Sequence, residues 1–387
     1  VVVNYSGQTS KSKHPPDDKM SIVTAYREIK VDLKEQGYPI CIGDQIISLL
    51  PEKLDQLSVN RQIAIISALS VSNLYLKEVA ALFNPAWEVI THIVPDGEIS
   101  KSPAEVDKIY TWLIERHFER RSTLIALGGG VVGDLSGFVA ATFLRGVNLV
   151  QLPTTLLAQV DSSIGGKVGI NHPLGKNLIG AFYQPKLVLT DVAFLNSLPM
   201  EEYICGLGEV VKYGILGSKT LFELLENNLE RILKKDQSLL QQIVFDCAQI
   251  KAKIVEKDVY EQSSRASLNL GHTFGHALET FYKSEGLKHG QAVLLGMRCA
   301  IHAARQLDLI DSGSAGRMNR LLKRIDVQLP TQKKIDPAAL LAIMKRDKKV
   351  RDGQINLVLP QRIGKVIVRP VSDENLLKTG FEILQDQ

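Results

Sequence analysis

Short apolar runs recur through the first half of the chain, separated by stretches in which apolar residues return at helical spacing. Pro39-Ile40-Cys41-Ile42 before Gly43, Ile63–Ile66, Glu88–Val94, Thr123–Leu127, Val147–Leu152 and Leu187–Leu189 read as strands. A helix is expected over Asn73–Phe83. Pro95-Asp96-Gly97 is a turn signature. Ser102-Pro103-Ala104-Glu105 opens a further helix with Ser at N-cap, Pro at N1 and Glu at N3, running to about His117. Strands alternating with helices predict an α/β, Rossmann-like unit on a parallel sheet. From Pro199 the period becomes helical. Leu221, Leu224, Leu225, Leu229, Ile232 and Leu233 form one long core-facing stripe, and another helix is expected over Leu239–Val255, carrying Lys251 and Lys253. Arg351–Gln354 reads as a turn flanked by strands. The expected organisation is a disordered extension over 1–19, an α/β part over 20–198 and a mostly α-helical part over 199–387.

One segment breaks the ordinary amphipathic pattern. In Arg265–Glu279 the polar residues Arg265, Asn269, His272 and His276 fall at i, i+4, i+7 and i+11, which on one helix is a single narrow face. Leu268, Leu270, Phe274, Ala277 and Leu278 surround them. Such a helix is expected to be buried, with its polar line facing a cavity, because that many buried donors need partners. His289-Gly290-Gln291 follows, and Glu209 and Lys212 precede at i and i+3. Glu, His and His are the ligand types of a catalytic zinc with one position left open. Thr273 after His272 rules out the H-E-x-x-H signature of a metalloprotease.

The strand at Thr123–Leu127 runs into Gly128-Gly129-Gly130-Val131-Val132-Gly133-Asp134, a G-x-G-x-x-G between a strand and an expected helix. Glycine there lets backbone N–H groups approach a pyrophosphate at the positive end of a helix. The acid expected about 20 residues further on is missing, so the loop is read as a dinucleotide cradle of a non-standard kind. Asp161–Lys167 and Gly175-Lys176-Asn177 are glycine-rich, are expected as loops, and suit oxyanions without forming a Walker A motif. A nicotinamide cofactor beside a metal implies oxidation at an alcohol.

Composition adds boundaries to this picture. The 387 residues suffice for two or three domains. A net charge of +4 does not argue for nucleic acid, while the basic groups near the metal candidates suit a phosphorylated or carboxylated substrate. Cys41, Cys205, Cys247 and Cys299 are scattered and read as reduced thiols of a cytoplasmic protein. The apolar stretch Leu124–Leu157 is interrupted by Asp134, Arg145 and glycines, so no membrane span is expected. Val1–Lys19 lacks the apolar core of a secretory signal.

Gly128–Asp134, Pro153-Thr-Thr-Leu-Leu157, Gln159–Lys167, Asn171–Asn177, Gly271-His-Thr-Phe-Gly-His276 and Arg346-Asp-Lys-Lys349 together resemble the 3-dehydroquinate synthases of the sugar phosphate cyclase superfamily, over roughly residues 30 to 370. The resemblance implies a shikimate-pathway lyase of aromatic amino acid biosynthesis. It would convert 3-deoxy-D-arabino-heptulosonate 7-phosphate into 3-dehydroquinate and phosphate by transient oxidation with NAD, phosphate elimination, reduction and aldol closure. It further implies Glu209, His272 and His289 as ligands of Zn2+ or Co2+, with His276 facing substrate. Asp161, Lys167, Asn177, Lys212, Lys251, Glu261, Arg265, Asn269, His276 and Lys348 would form the substrate and catalytic set. Arg145 would come from the neighbouring subunit of a homodimer. NAD contacts would be Glu98, Lys101, Gly129, Gly130, Val131, Asp134, Thr154, Thr155, Leu157, Asp161, Lys167, Lys176, Phe194, Leu198 and Glu202.

Three positions depart from the family pattern. Ser67-Ala68-Leu69-Ser70 lacks the acid or Asn that grips the adenosine ribose, which implies weaker NAD binding. Gln291 replaces a Glu that could stand behind the metal. Ser263 replaces a Gly two before Arg265. Competing readings are another sugar 7-phosphate cyclase such as a 2-epi-5-epi-valiolone synthase, a polyol dehydrogenase releasing NADH, or a non-catalytic binding relative. The pocket residues are all of the dehydroquinate type, and Glu209, His272, His289 and Lys167 are intact.

Overall fold

A computed structural model of the protein describes residues 26–262, 264–346, 350–351 and 354–385. The expected extension over 1–19, Ser263 and Lys348 lie outside the described residues.

The centre is a seven-stranded sheet in the order β1-β2-β9-β6-β5-β3-β4, with β1 (Tyr26–Val31), β2 (Tyr38–Gly43), β3 (Gln62–Ala68), β4 (Glu88–Val94), β5 (Thr123–Gly128), β6 (Asn148–Pro153) and β9 (Leu187–Asp191). All neighbours run parallel except β1, which pairs antiparallel with β2. Strand β5 is buried along its whole length, as an unbroken apolar run in a sheet covered on both faces should be. The period of two sorts the residues. Ala64, Ile66, Leu124 and Ala126 pack on one face with α4 (Pro103–Glu115) and α5 (Gly130–Thr142). Ile63, Ile65, Ile125 and Leu127 pack on the other with α1 (Leu50–Gln56) and Val79 of α3 (Lys77–Ala81). Ser102 caps α4 as expected, its Oγ accepting from Glu105 N at 3.3 Å. The helix expected over Asn73–Phe83 starts earlier, at α2 (Leu69–Val71), and reaches α3 through a π-helical turn at Ser72–Leu76.

The second half contains α6 (Met200–Gly217), α7 (Lys219–Leu233), α8 (Gln237–Lys257), α9 (His272–Phe281), α10 (His289–Gln306), α11 (Ser312–Arg324), α12 (Pro337–Lys345) and α13 (Glu374–Glu382). An antiparallel sheet of β10 (Val350–Arg351), β11 (Gln354–Arg362) and β12 (Lys365–Val371) joins them. Leu221, Leu225, Leu229 and Ile232 of α7 are core, and they share one cluster with Ile40, Ile42 and Val188 of the large sheet. Among the described residues no helix is long and apolar enough to cross a membrane. The four cysteines are buried and unpaired.

Three expectations are corrected. Strand β1, YREIKV, was not anticipated, because only Ile29 and Val31 face the core and its other side chains are exposed. Ser163–Gly166 is a loop as expected, after a π-helical turn that ends at Ser162, but Lys167 and Gly175-Lys176-Asn177 lie on the two strands of a hairpin, β7 (Lys167–His172) and β8 (Gly175–Phe182). Arg265–Glu279 is not one helix. A 3-10 segment at Ser264–Asn269 ends at Gly271, whose φ of +78° is left-handed, and α9 begins at His272. Leu270 and Gly271 therefore turn the chain, and Arg265 and Asn269 share no helical face with the two histidines.

Candidate active site

Three helix segments converge where main chain meets main chain. A Cβ on Gly208 of α6 would lie 2.6 Å from the Gly290 carbonyl oxygen, and one on Gly290 would lie 2.1 Å from that of Cys205. A Cβ on Gly296 of α10 would lie 2.1 Å from the Gly271 oxygen. Only glycine allows these approaches. They bring Glu209, His272 and His289, separated by up to 80 residues of sequence, to ligand atoms within 4.8 Å of one another. His276 sits one turn beyond His272, its ring centroid 5.6 Å from that of His272 and 5.7 Å from that of His289. It lines a cavity of about 270 Å3 with Thr273 and Arg346.

The protonation pattern suits a cation. His272 Nδ1 is 3.1 Å from the Leu270 carbonyl oxygen, which can only accept, so Nδ1 carries the proton and Nε2 the lone pair. That Nε2 lies 3.4 Å from Glu209 Oε1. Burial lowers His272 to about 4, keeping it neutral. His289 Nδ1 is 3.0 Å from Glu279 Oε2. Burial raises the Glu279 carboxyl, but His289 and Lys176 outweigh it and hold it at about 2. Glu279 is therefore an acceptor only, so His289 Nδ1 donates to it and Nε2 is the nitrogen left to face an ion. Burial opposes the charge on His289, yet Glu279 and Glu209 raise its pKa. Burial likewise opposes ionisation of Glu209, and Lys212 and His272 still pull it down to about 2. Two imidazoles, of which His272 is held neutral, and one carboxylate, backed by a further carboxylate, fit a divalent ion with an open position, the ion displacing any proton on His289 Nε2.

The second acid behind the histidines is thus Glu279, not position 291. Gln291 Oε1 accepts from Lys288 N at 3.0 Å and caps α10. Glu279 closes the polar stretch in the sequence, but its partners there could not be assigned.

A cationic wall adjoins the cluster. Lys212 is buried and ion-paired with Glu209. Lys251 Nζ donates to Asp161 Oδ1 at 2.7 Å and to its carbonyl oxygen at 2.5 Å. Tyr213 OH, unnoticed in the sequence despite its place beside Lys212, donates to the same Oδ1 at 2.5 Å. Burial would raise Asp161, but Lys251 and Lys212 hold it well below the usual carboxylate range. Burial pulls Lys251 down to about 8 against the opposing charge of Asp161. Arg265, 2% exposed, donates to the carbonyls of Val259 at 2.9 Å and Gly165 at 3.4 Å, which ties the start of the hairpin to the helical half. Lys167 is ion-paired with Glu261. Asn269 Nδ2 donates to Ala266 O at 3.2 Å.

At the carboxyl ends of β5 and β6 lies the glycine loop. Gly129 is the N-cap of α5, and Gly130 is its first residue. Thr154 Oγ1 and Ser162 Oγ are buried with no hydrogen-bond partner among the described residues, and a Cβ on Gly130 would crowd Ser162 Oγ at 3.0 Å. Orphaned hydroxyls beside a helix N-terminus fit a pyrophosphate. Lys101 Nζ donates to Asp134 Oδ2 at 2.6 Å and to Asn177 Oδ1 at 2.5 Å. Glu98 accepts from Asn171 Nδ2 at 2.7 Å. Thr155 Oγ1 accepts from Ala158 N at 3.2 Å. Val131 and Leu157 are half-buried beside the loop. Phe194 and Leu198 are buried, with Tyr75 packed edge-on to Phe194. Lys176 pairs with Glu279 and Glu202 with Lys288. Position 68 has no acid, but Asp96 beyond β4 takes Ser70 N at 3.1 Å and Ser70 Oγ at 2.8 Å. A carboxylate therefore stands at that strand end from a neighbour in space.

Arg145 makes none of the contacts described above. It is exposed at the far end of α5, a helix about 20 Å long by its 13 residues.

The family described as 3-dehydroquinate synthase N-terminal matches residues 91–205, and that described as 3-dehydroquinate synthase C-terminal matches residues 206–350. The 3-dehydroquinate synthase of Shewanella sp. (strain MR-4) is 43% identical over 352 residues, 91% of this chain and 98% of its own. That of Syntrophotalea carbinolica is 45% identical over 91% of this chain and 97% of its own. Among solved structures, a 2-deoxy-scyllo-inosose synthase complexed with carbaglucose-6-phosphate, NAD+ and Co2+ superposes with a TM-score of 0.81 at 24% identity, covering 93% of this chain and 99% of its own. The 2-epi-5-epi-valiolone synthase of Streptomyces hygroscopicus subsp. jinggangensis, with NAD+ and Zn2+ bound, gives 0.81 at 22% identity, covering 94% and 99%.

Proposed function

Because the chain belongs to the 3-dehydroquinate synthase family, we propose that it is a phosphate-eliminating lyase. Its substrate is 3-deoxy-D-arabino-heptulosonate 7-phosphate, and its products are 3-dehydroquinate and inorganic phosphate. The observation that carries this reading is the convergence of Glu209, His272 and His289 beside a wall of buried lysines. When bound, a divalent ion such as Zn2+ or Co2+ supplies Lewis acidity at substrate hydroxyl oxygens, and NAD supplies a reversible hydride acceptor.

The chain's own residues do the rest. Lys212, Lys251 and Lys167 neutralise the substrate's phosphate and carboxylate. Asp161 orients Lys251 through two contacts. Asp161, Glu209 and Glu279 are all held below their ordinary range, so each is ionised at pH 7 and only a weak base for a C–H proton. The proton released on elimination is therefore assigned to the departing phosphate. Gly129, Gly130, Thr154 and Asp134 cradle the dinucleotide. His276, beside the cluster, faces the substrate. Arg145 is exposed beyond the end of α5 remote from the glycine loop, a position open to a partner protomer in a homodimer.

Phosphate release from the heptulosonate phosphate, with and without a chelator, tests this. Release abolished by the chelator and restored by Zn2+ or Co2+ is expected. Release only from sedoheptulose 7-phosphate would instead assign another cyclase activity, and net NADH would assign a dehydrogenase.

A further inference from the structure

Away from the active site, α10 and α11 enclose a cleft of about 210 Å3. Leu294 and Leu295 of α10, Leu322 of α11 and Val327 form its apolar walls. Arg298 also lines it. Arg298 lies nine residues along α10 from His289, roughly 14 Å at 1.5 Å per residue, and is 9% exposed. Among the described residues its guanidinium has no hydrogen bond and no ion pair. Asp326 lies in the same cleft but is engaged by Gln328 Nε2 at 2.5 Å and forms no ion pair with Arg298. A guanidinium is always charged, and a buried charge without a counter-ion is unfavourable. Burial also pulls the Arg298 pKa below its ordinary value. Structural arginines in this chain behave otherwise: Arg317 is paired with Glu226, and Arg265 is held by carbonyls.

We propose that this cleft is a binding site for a small carboxylate with an apolar body. The carboxylate pairs with Arg298, and the body lies against Leu294, Leu322 and Val327. A bidentate guanidinium–carboxylate pair supplies the missing counter-charge, and the walls favour a ligand larger than a bare inorganic anion. The chemistry is shared by a free arylalkyl acid and by the α-carboxylate of an apolar amino acid, whose ammonium group Asp326 could take.

Titration calorimetry on the full chain loaded with NAD and Zn2+ tests this, using 3-phenylpropionate, L-phenylalanine and acetate. Binding of one of the first two at least tenfold tighter than acetate is expected, lost at least tenfold in Arg298→Met. Tighter 3-phenylpropionate assigns the free acid, and tighter L-phenylalanine assigns the amino acid. Arg298→Met should release phosphate from the heptulosonate phosphate at the parent rate without added ligand. It should melt no lower than the parent, since no partner is orphaned. Val327→Trp, which fills the cleft and leaves Arg298 in place, should lose the same binding and covers the case in which Arg298→Met does not fold. No binding of either aromatic probe, equal binding of acetate, or binding that survives in either variant that folds overturns the proposal.

Discussion

Glu279 Oε2 stands 3.0 Å from His289 Nδ1, while Glu279 Oε1 takes Lys176 Nζ at 2.8 Å. One carboxylate thus orients an imidazole of the proposed metal cluster and holds strand β8 of the hairpin against it. Removing a carboxylate behind a metal-bound histidine typically weakens metal affinity by roughly 10–100-fold. Glu279→Ala is expected to fall in that range in a chelator competition, and Glu279→Gln to lose less because it keeps an acceptor. Unchanged chelator midpoints for both variants would reject this role.

Lys101 is 3% exposed and bridges Asp134 and Asn177. Burial raises Asp134, and the Lys101 ammonium opposes that rise. Lys101→Met leaves the carboxylate without its cation, so a loss of about 3 kcal/mol is expected from urea unfolding at pH 7 without NAD. The loss should shrink in the double variant with Asp134→Asn.

Lys251 is the group that titrates nearest neutrality in the cationic wall. Burial holds it at about 8. It is charged below that pH and loses its proton above it. KM for the heptulosonate phosphate should therefore be lowest below pH 8 and rise above it, approaching about tenfold per pH unit for loss of one proton. Lys251→Met should show a raised KM without that rise. A wild-type KM flat from pH 7 to 9.5 would contradict the assignment.

Gly290 is where α10 meets α6. A methyl group there collides with the Cys205 backbone, which cannot swing aside. Gly290→Ala is expected to lower stability by about 1–3 kcal/mol and to displace His289. The readout is a thermal melt together with zinc stoichiometry. Full zinc binding at the parent melting temperature would show that the seam is softer than the geometry implies.

Ala68 leaves the end of β3 without the acid expected for a ribose. Ala68→Asp should tighten NAD by about tenfold through one charge-assisted hydrogen bond. Calorimetry giving the same affinity for both chains would mean that Asp96, seated on Ser70, already does this work.

The alternation of apolar runs made most of the central sheet legible, because strands buried on both faces leave little else in the sequence. Strand β1 stayed hidden since only Ile29 and Val31 are turned inward among charged neighbours. The three metal-ligand candidates were visible as residue types, but spacing alone could not separate His276 from His289. The structure groups His289 rather than His276 with Glu209 and His272, through the contact of Gly290 with Cys205, a long-range fact. The partner of Glu279 and the role of Tyr213 were hidden because each acts on a residue in another element. The hairpin was mistaken for loops because glycine, lysine and asparagine signal turns locally, whereas its ladder is set by pairing across the two strands.

The glycine seam between α6 and α10 has a last consequence. No side chain stands in the gap that could repack to widen or narrow it, so the distance between the carboxylate-bearing helix and the second histidine is inherited from the peptide backbone. A protein stripped of its ion should keep its shape and accept reloading without refolding, and ions of different radius should compete on coordination chemistry within a frame that does not stretch to suit them.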